Sequence, residues 1–316
     1  AHRSLHRYNL LWGAHQPHHS SEDFNLSTAL RKGAFQTAFD WPFYLPLALL
    51  GLPLPLFLLL LGIQLAYQFW IHTQHIERMG WLEKLIVTPS HHRVHHGQND
   101  CYIDKNHGGV FIVWDKLFGT FAEEVEPVRY GVTTPVRTFD AIALQFSWWR
   151  LLWADAVATR RWWDKLRLWW MPTGWRPEDV RQQPWPKMGA DKFAEATPVG
   201  LKAYALVQFL LLNGMALAFL ASVRQAALWQ AVLLALGVLG TCVSLGALFE
   251  GRTRLWWLER LRLFALLLLL ALWGLWLAPA QWPLALAMAA VPLACLLWLW
   301  RLSGRHDGAA SALLRQ

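Results

Sequence analysis

Histidines are the residues of this sequence whose number and spacing indicate chemistry. The chain has 316 residues and 13 His, and all of the histidines except His306 lie in the first 107 positions. Most are three or four residues apart, a spacing that places side chains on one face of a helix. Four motifs result, and His107 and His306 stand alone. The motifs are His2-x3-His6, His15-x2-His18-His19, His72-x2-His75 and His91-His92-x2-His95-His96.

Imidazoles that converge from several helices predict a metal centre. Imidazole is a neutral ligand that suits iron, zinc and copper, and these motifs contain more imidazoles than one ion can bind. The sequence therefore predicts two metal ions, each with a position left for oxygen or water. The isolated His107 and His306 are interpreted as surface or hydrogen-bonded residues, whereas His75 is left open between that role and metal binding.

The residues around the motifs favour iron over structural zinc. Structural zinc usually has four ligands, often cysteines, but Cys101, Cys242 and Cys295 lie outside every motif. Carboxylate-bridged di-iron bundles use Glu-x-x-His pairs, which do not dominate here. Two irons that are bound by histidines and activate dioxygen fit better. Nearby carboxylates should orient the imidazoles, and the candidates are Glu22, Asp104 and Asp115.

Five segments combine the histidine motifs with characteristic flanking residues. They are HRSLH, LWGAHQPHHSSEDFNLSTALR, FWIHTQHI, TPSHHRVHHGQN and DKNHGGVFIVWDKLFGTF. These segments resemble the fatty acid hydroxylase/sterol desaturase superfamily, and within it the alkylglycerol monooxygenase branch, whose members cleave ether lipids. The resemblance extends from residue 2 to about residue 140. Arg7 and His107 depart from the branch, in which an acidic residue and a tyrosine are expected.

This resemblance implies a membrane-embedded di-iron oxygenase whose site faces the cytoplasm. It also implies tetrahydrobiopterin as the reductant, with a ferredoxin or a cytochrome as alternative electron donors. By the same likeness, the metal ligands are His2, His6, His15, His18, His19, His72, His91, His92, His95 and His96.

Composition predicts a multi-pass membrane protein. Hydrophobic residues make up 55% of the chain and charged residues 16%, and the mean hydropathy is +0.24. The apolar residues form uninterrupted runs, which a bilayer solvates and water does not. The chain also contains 22 Trp, a residue that favours the membrane–water interface. The net charge of +8 therefore suits anionic lipid headgroups better than nucleic acid.

The apolar runs divide the chain into three parts, which together predict an all-α, multi-pass helical bundle. Residues 1–140 form the histidine-rich domain with a membrane hairpin at 34–76, and because no Met precedes the first motif we expect further helices upstream. Residues 141–200 interleave Trp with basic residues, which favours a helix in the membrane surface over a core-facing helix. Residues 201–316 contain four apolar runs, at 201–222, 226–248, 263–278 and 283–300.

Basic residues predict the orientation of these helices. The turns at 51–55 and 279–282 contain no Lys or Arg, and the turn at 223–225 contains only Arg224. Every other Lys and Arg lies in segments that this layout places on the opposite side, together with the histidine motifs. The positive-inside rule makes that side cytoplasmic.

These observations predict a di-iron membrane monooxygenase that hydroxylates a lipid C–H bond with O2, with an alkylglycerol ether as the first substrate to test. Sterol, fatty acid or carotenoid hydroxylation or desaturation would use the same site. A metal transporter or a non-catalytic metal-binding membrane protein is the alternative from another class. Transporters place ionisable ligands within their spans, whereas nearly all of these histidines lie outside the apolar runs, which favours the enzyme.

Overall fold

The computed structural model describes residues 1–187, 189, 192–193, 197–222, 227–252, 256–272, 274–275 and 279–313. Within these residues every regular element is helical, and extended pairing is limited to three isolated bridges. The all-α prediction is therefore confirmed. The backbone divides into two compact units, one of residues 1–137 with 143–193 and one of residues 138–142 with 194–316.

The first unit consists mainly of short helices joined by loops. It begins with α1 (His2–Arg7) and α2 (Asn9–His19), which are separated by the extended backbone of Tyr8. Most of the histidine motifs lie in α1, α2 and a later helix, α7 (Pro89–His95). The remaining helices are α3 (Leu26–Leu30), α4 (Gln36–Asp40), α5 (Leu45–Leu49), α6 (Leu54–Trp70), α7 (Pro89–His95), α8 (Val113–Leu117), α9 (Ala141–Ala158) and α10 (Trp162–Arg167), with 3-10 helices at Trp41–Tyr44 and Gly80–Lys84.

The predicted hairpin at 34–76 has one continuous limb and one interrupted limb. The continuous limb is α6, whose apolar side chains are largely exposed. The other limb runs from α4 through a 3-10 turn into α5, and Pro42 and Pro46 lie at the start of the last two elements. Proline lacks the amide proton that a helix interior requires, so the limb changes helix type there. Gly51, with a φ of +80°, lies in the turn between the limbs.

The tryptophan-rich segment has a buried face and an exposed face. Trp148 and Leu152 of α9 are buried in one apolar cluster, and the Trp148 indole donates to the backbone carbonyl of Asn9 in α2. Trp162 and Trp163 of α10 are 66% and 75% exposed. The buried face thus fixes the helix that carries the second histidine motif. Contact of the exposed face with a membrane surface stays a prediction.

In its described residues, the second unit is a bundle of four longer helices. Its apolar core includes Tyr204, Leu248, Leu263 and Leu299. The helices correspond to the four apolar runs of the sequence, with somewhat different ends. They are α11 (Val199–Ser222), α12 (Leu228–Phe249), α13 (Trp256–Leu272) and α14 (Trp282–Leu313).

One carboxylate lies within this bundle. Glu259 of α13 accepts hydrogen bonds from the hydroxyls of Tyr204 and Ser244 and from the guanidinium of Arg262. Arg262 also donates to Gln208 of α11 at 2.6 Å. A buried charge is tolerated when it is paired and hydrogen-bonded, so this network joins α11, α12 and α13 at one level.

Among the residues that the structure describes, two helical stretches are long and apolar enough to cross a membrane by length and composition. They are Leu228–Phe249 and Pro279–Leu302. Shorter apolar stretches in the same residues are Leu54–Trp70, which is α6, and Val199–Gly214, which is the first part of α11. The turn predicted at 223–225 lies outside the described residues, and so does the side chain of His306. The complete multi-pass topology and its orientation therefore stay predictions.

Candidate metal centre

The structure brings nine of the ten histidines that were predicted as ligands into two adjacent groups. One ring nitrogen of each member lies within 4.8 Å of those of the other members of its group. His19 of one group and His96 of the other stack with their ring centroids 4.2 Å apart, so the two groups are in direct contact. The first group contains His2, His6, His15, His19 and His95, and the second contains His18, His72, His92 and His96.

Helix geometry explains how single motifs serve both groups. Residues four apart in a helix project from the same face, and a residue next to one of them projects elsewhere. In α2, His15 and His19 belong to the first group while His18 belongs to the second. At α7, His92 and His96 belong to the second group while His95 belongs to the first. Each HxxHH motif therefore contributes to both groups.

The distances between ring nitrogens fit metal coordination. Nε2 of His15 lies 3.1 Å from the Nε2 atoms of both His2 and His19. In the second group, Nε2 of His72 lies 3.0 Å from that of His92. Two ligands at right angles around one ion, with bonds of about 2.1 Å, lie about 3 Å apart. These imidazoles are thus placed to share a cation.

Three further ring nitrogens support the same interpretation. The Nε2 atoms of His6, His95 and His96 are buried and have no hydrogen-bond partner within the described residues. Leaving a buried polar atom unsatisfied costs about 1–3 kcal/mol, and a bound metal ion would satisfy each of these nitrogens. A donor set of imidazoles alone suits iron, zinc or copper, so iron fits the residues that are present.

Backbone carbonyls fix the tautomers of several of these histidines. Nδ1 of His2 donates to the carbonyl of His107 at 2.8 Å, and Nδ1 of His95 donates to the carbonyl of Lys105 at 2.9 Å. Because a carbonyl only accepts, the proton lies on Nδ1, and Nε2 keeps the lone pair that binds a metal. Similar contacts join His18 to the carbonyl of Arg31, His72 to that of Gln68, and His15 to the side-chain oxygen of Gln36.

One short loop, Asp104 to Gly108, supplies two of these carbonyls. Asp104 and Asn106 have φ values of +55° and +53°, a left-handed conformation that Asn and Asp adopt more readily than most residues. The buried carboxylate of Asp115 accepts the backbone N–H groups of His107 and Gly108 at 2.7 and 2.8 Å. The Asn106 side chain makes three further hydrogen bonds to the backbone. These contacts hold the loop carbonyls against the first group.

The three carboxylates that were predicted to orient the imidazoles do not bond to them directly. Glu22 accepts the backbone N–H of Phe193, and Asp115 acts through the loop. Asp104 lies 3.8 Å from Nδ1 of His6, beyond hydrogen-bond distance. Backbone carbonyls and Gln36 take the role instead. Sequence reasoning missed them because every residue has a carbonyl, and residue type does not show which one is used.

Burial keeps the imidazoles in the form that binds metals. Desolvation lowers the pKa of His18 to about 3 and the pKa values of His2 and His72 to about 4. It also lowers the pKa values of the other grouped histidines well below their usual range, and neighbouring imidazoles add to the effect. All nine rings are therefore neutral at pH 7, as metal binding requires.

Other histidines lie outside the two groups. His91 accepts the backbone N–H of Thr88 on its Nδ1 atom, and the structure does not bring it into either group. His75 is exposed. His107 was interpreted from the sequence as a surface or hydrogen-bonded residue. In the structure it is hydrogen-bonded but buried, and its ring centroid lies 5.0 Å from that of His6. It therefore belongs to the surroundings of the first group.

A cavity of about 680 Å³ reaches the grouped histidines. It is bordered by His6, His19, His95 and His96. A cavity of this size accommodates a small organic molecule. The other lining residues combine aromatic, polar and basic side chains and include Trp12, Trp148, Trp185, Arg129 and Lys187.

Comparison with known families agrees with the motifs. Residues 1–120 match the family model of the fatty acid hydroxylases, and all nine grouped histidines lie in this stretch. This part of the chain is similar to the fatty acid hydroxylases, which confirms the resemblance that the motifs indicate.

Over a longer stretch the chain is similar to alkylglycerol monooxygenases. It is 42% identical to the Homo sapiens protein over 277 residues and 40% identical to the Danio rerio protein over 281 residues. Each comparison covers 85% of this chain and 61% of the relative, so the chain spans less than two thirds of these proteins. The ornithine lipid hydroxylase OlsE of Rhizobium tropici is 33% identical over 139 residues, which are 43% of this chain and 42% of the relative. No solved structure matches the chain.

Proposed function

We propose that this chain is a di-iron membrane monooxygenase that hydroxylates a lipid C–H bond with O2. The observation that carries the proposal is the pair of converging imidazole groups next to a cavity of about 680 Å³. In the net reaction, the lipid C–H bond, O2, two electrons and two protons give an alcohol and water. If the hydroxylated carbon bears an ether oxygen, the product is a hemiacetal that separates into an aldehyde and an alcohol.

In this proposal the protein provides ligation of the ions and orientation of the imidazoles. Iron, when bound, supplies the activation of O2 and the cleavage of an unactivated C–H bond. His2, His6, His15, His19 and His95 would hold one ion, and His18, His72, His92 and His96 would hold the other. The carbonyls of residues 105 and 107 orient two of these rings through their Nδ1 protons.

The cavity supports a small-molecule electron donor over a protein donor. A pterin fits within about 680 Å³. Trp12 and Trp148 are among the lining residues, and aromatic side chains of this kind can pack against a planar ring. A ferredoxin or a cytochrome would have to deliver electrons from outside the cavity. Tetrahydrobiopterin is therefore the first donor to test, with the two protein donors for comparison.

The membrane orientation is also part of the proposal. The basic residues favour a cytoplasmic position for the histidine motifs, and native Cys101, which lies just after the last motif, is exposed. An impermeant thiol reagent that is added to intact cells should label Leu50→Cys in the turn of the hairpin and leave Cys101 unlabelled until the cells are opened. Labelling of Cys101 in intact cells would contradict this orientation.

The decisive experiment is an oxygen-isotope assay. The purified, iron-loaded protein is mixed without oxygen with an alkylglycerol ether, other lipids and a reductant, and 18O2 is then added. We expect one labelled atom in the hydroxylated lipid or in the aldehyde that the ether releases. Lipid conversion without consumption of O2 would refute the oxygenase assignment. Oxidation of sterols or fatty acids without oxidation of ethers would refute the substrate alone.

A second candidate is hydroxylation of a different lipid. The similarity to OlsE supports this candidate, because that relative is named as an ornithine lipid hydroxylase. Sterol, fatty acid and carotenoid hydroxylases or desaturases would use the same two groups, so the lipid panel separates them. A metal transporter or a non-catalytic metal-binding membrane protein would bind iron and show no lipid product.

A further inference from the structure

A buried arginine lies among the histidines of the last motif. Arg93 follows His92 in α7, and its side chain is 8% exposed. The guanidinium donates to both carboxylate oxygens of Glu124 at distances of 2.6 to 3.0 Å. It also donates to three backbone carbonyls, those of Thr73, Ile76 and Glu77, at 3.2, 2.7 and 3.3 Å.

These three carbonyls belong to the stretch of chain directly after His72. Residues 72–79 lie between α6 and the 3-10 helix at Gly80–Lys84 and are not part of any helix. Nδ1 of His72 is bonded to the carbonyl of Gln68 in α6 at 2.7 Å. That bond orients the ring relative to α6 but not relative to α7. The contacts of Arg93 join the stretch after His72 directly to α7. They add to the bond from the Tyr67 hydroxyl of α6 to the carbonyl of Val87, which lies two residues before α7.

We propose that Arg93 is a positioning residue for the second imidazole group. It holds the chain that carries His72 against the helix that carries His92, whose Nε2 atom lies 3.0 Å from that of His72. Glu124 balances the buried charge, without which the guanidinium would be costly to bury. This inference rests on the proposed function, because the spacing of the second group matters only if the group binds a metal.

The geometry requires arginine at this position. A guanidinium presents five N–H donors in a rigid planar arrangement, whereas a lysine ammonium is a compact charge with three donors. Lysine could pair with Glu124 but could not also reach three carbonyls that are spread over five residues. Arg93→Lys should therefore preserve the charge and lose most of the connection to the chain after His72.

Iron binding by residues 1–316 in detergent tests the proposal. Wild type, Arg93→Gln, Arg93→Lys and Glu124→Gln are equilibrated with iron and a graded chelator. Iron per protein and Mössbauer spectra are then recorded. In Arg93→Gln we expect one iron to bind as in wild type and the other at least about tenfold more weakly, as is typical when an outer contact of a metal ligand is lost. Arg93→Lys should give a smaller loss, and Glu124→Gln should weaken the same iron.

A neighbouring arginine provides the control. Arg78 donates to the backbone carbonyl of Glu124 and pairs with Glu123 at 3.8 Å, but its side chain is 60% exposed. Arg78→Gln should leave both irons unchanged. Equal loss of affinity for both irons in Arg93→Gln, or no loss of affinity, would overturn the proposal. If Arg93→Gln does not fold, the same two outcomes in Glu124→Gln would overturn it. Wild type without bound iron would instead refute the proposed function.

Discussion

The two imidazole groups differ in what holds them and in what they face. The first group is oriented by the loop at 104–108 and by Gln36, and its members His6, His19 and His95 border the cavity. The second group is oriented mainly from nearby backbone. Phe24, which is 2% exposed, stacks on His72 with ring centroids 5.4 Å apart.

This difference indicates that the two imidazole groups are not equivalent. A small molecule in the cavity meets the first group, together with His96 of the second. The second group is covered by an aromatic ring and is tied to its surroundings by Arg93. We infer that the first group faces the reactants and that the second depends more on a fixed protein framework. Substitutions directed at one group or the other can break or sharpen this comparison.

Removal of a histidine from either group should have the largest effect. His95→Ala and His96→Ala should each reduce lipid turnover more than about 100-fold, because loss of a ligand exceeds the loss of an outer contact. Iron per protein should also fall in both variants. His75→Ala is the matched control, since His75 is exposed and lies outside both groups. Full activity in His95→Ala would contradict the metal assignment.

Release of the loop at 104–108 should affect the first group selectively. Asp115→Ala removes the acceptor of two backbone N–H groups in the loop, so the carbonyls that orient His2 and His95 lose their support. We expect about 10- to 100-fold weaker binding of one iron, with the other retained. Chelator competition measures both affinities. Glu123→Gln, at an exposed position, is the control and should leave both iron affinities unchanged. Unchanged iron affinities in Asp115→Ala would show that the loop does not support the site.

Acid should destabilise the metal-free protein. Burial lowers the pKa values of His18 and His72 to about 3 and about 4 in the folded chain, whereas an unfolded histidine titrates near about 6.5. Between these values the unfolded chain binds more protons than the folded chain, so the free energy of unfolding falls as the pH is lowered from about 6.5 towards 4. Thermal unfolding of chelator-treated protein at several pH values checks this. An unchanged midpoint across that range would mean that these rings are not buried in the neutral form.

Gln36 should contribute the smallest effect. Its side-chain oxygen accepts the Nδ1 proton of His15 at 3.1 Å, and Gln36 is only partly buried, so water can replace it. Gln36→Ala should weaken iron binding to the first group by about three- to tenfold, as expected for one hydrogen bond of about 1 kcal/mol. Gln36→Glu retains an acceptor and should restore the affinity. A loss as large as that of His95→Ala would mean that Gln36 has another role.

Helix periodicity explains why the grouped histidines could be predicted from the sequence. Spacings of three and four residues are a local property, so the motifs identified the converging side chains before any fold was known. The same periodicity did not exclude His91, whose position in α7 is next to His92 but on another side of the helix. Only the fold shows that its ring accepts an N–H of Thr88.

The supporting contacts could not be predicted because they are long-range and use the backbone. His2 donates to a carbonyl 105 residues away, and no residue type marks that acceptor. In the sequence, Arg93 is simply a basic residue within a motif. Its buried contacts depend on the path of the chain after His72, which the sequence does not show. The interrupted limb of the hairpin, by contrast, has a local signal in the sequence. Pro42 and Pro46 indicate a change of helix type there.

The length of α6 has a consequence for the predicted membrane hairpin. Its 17 residues rise by about 26 Å, whereas the hydrocarbon core of a typical bilayer is about 30 Å thick. A helix of this length that crosses a bilayer is shorter than the membrane it enters, and the lipids beside it must thin at a cost of a fraction of a kcal/mol per Å. Thin, disordered membranes would therefore accommodate the hairpin with less deformation than thick, sterol-rich membranes.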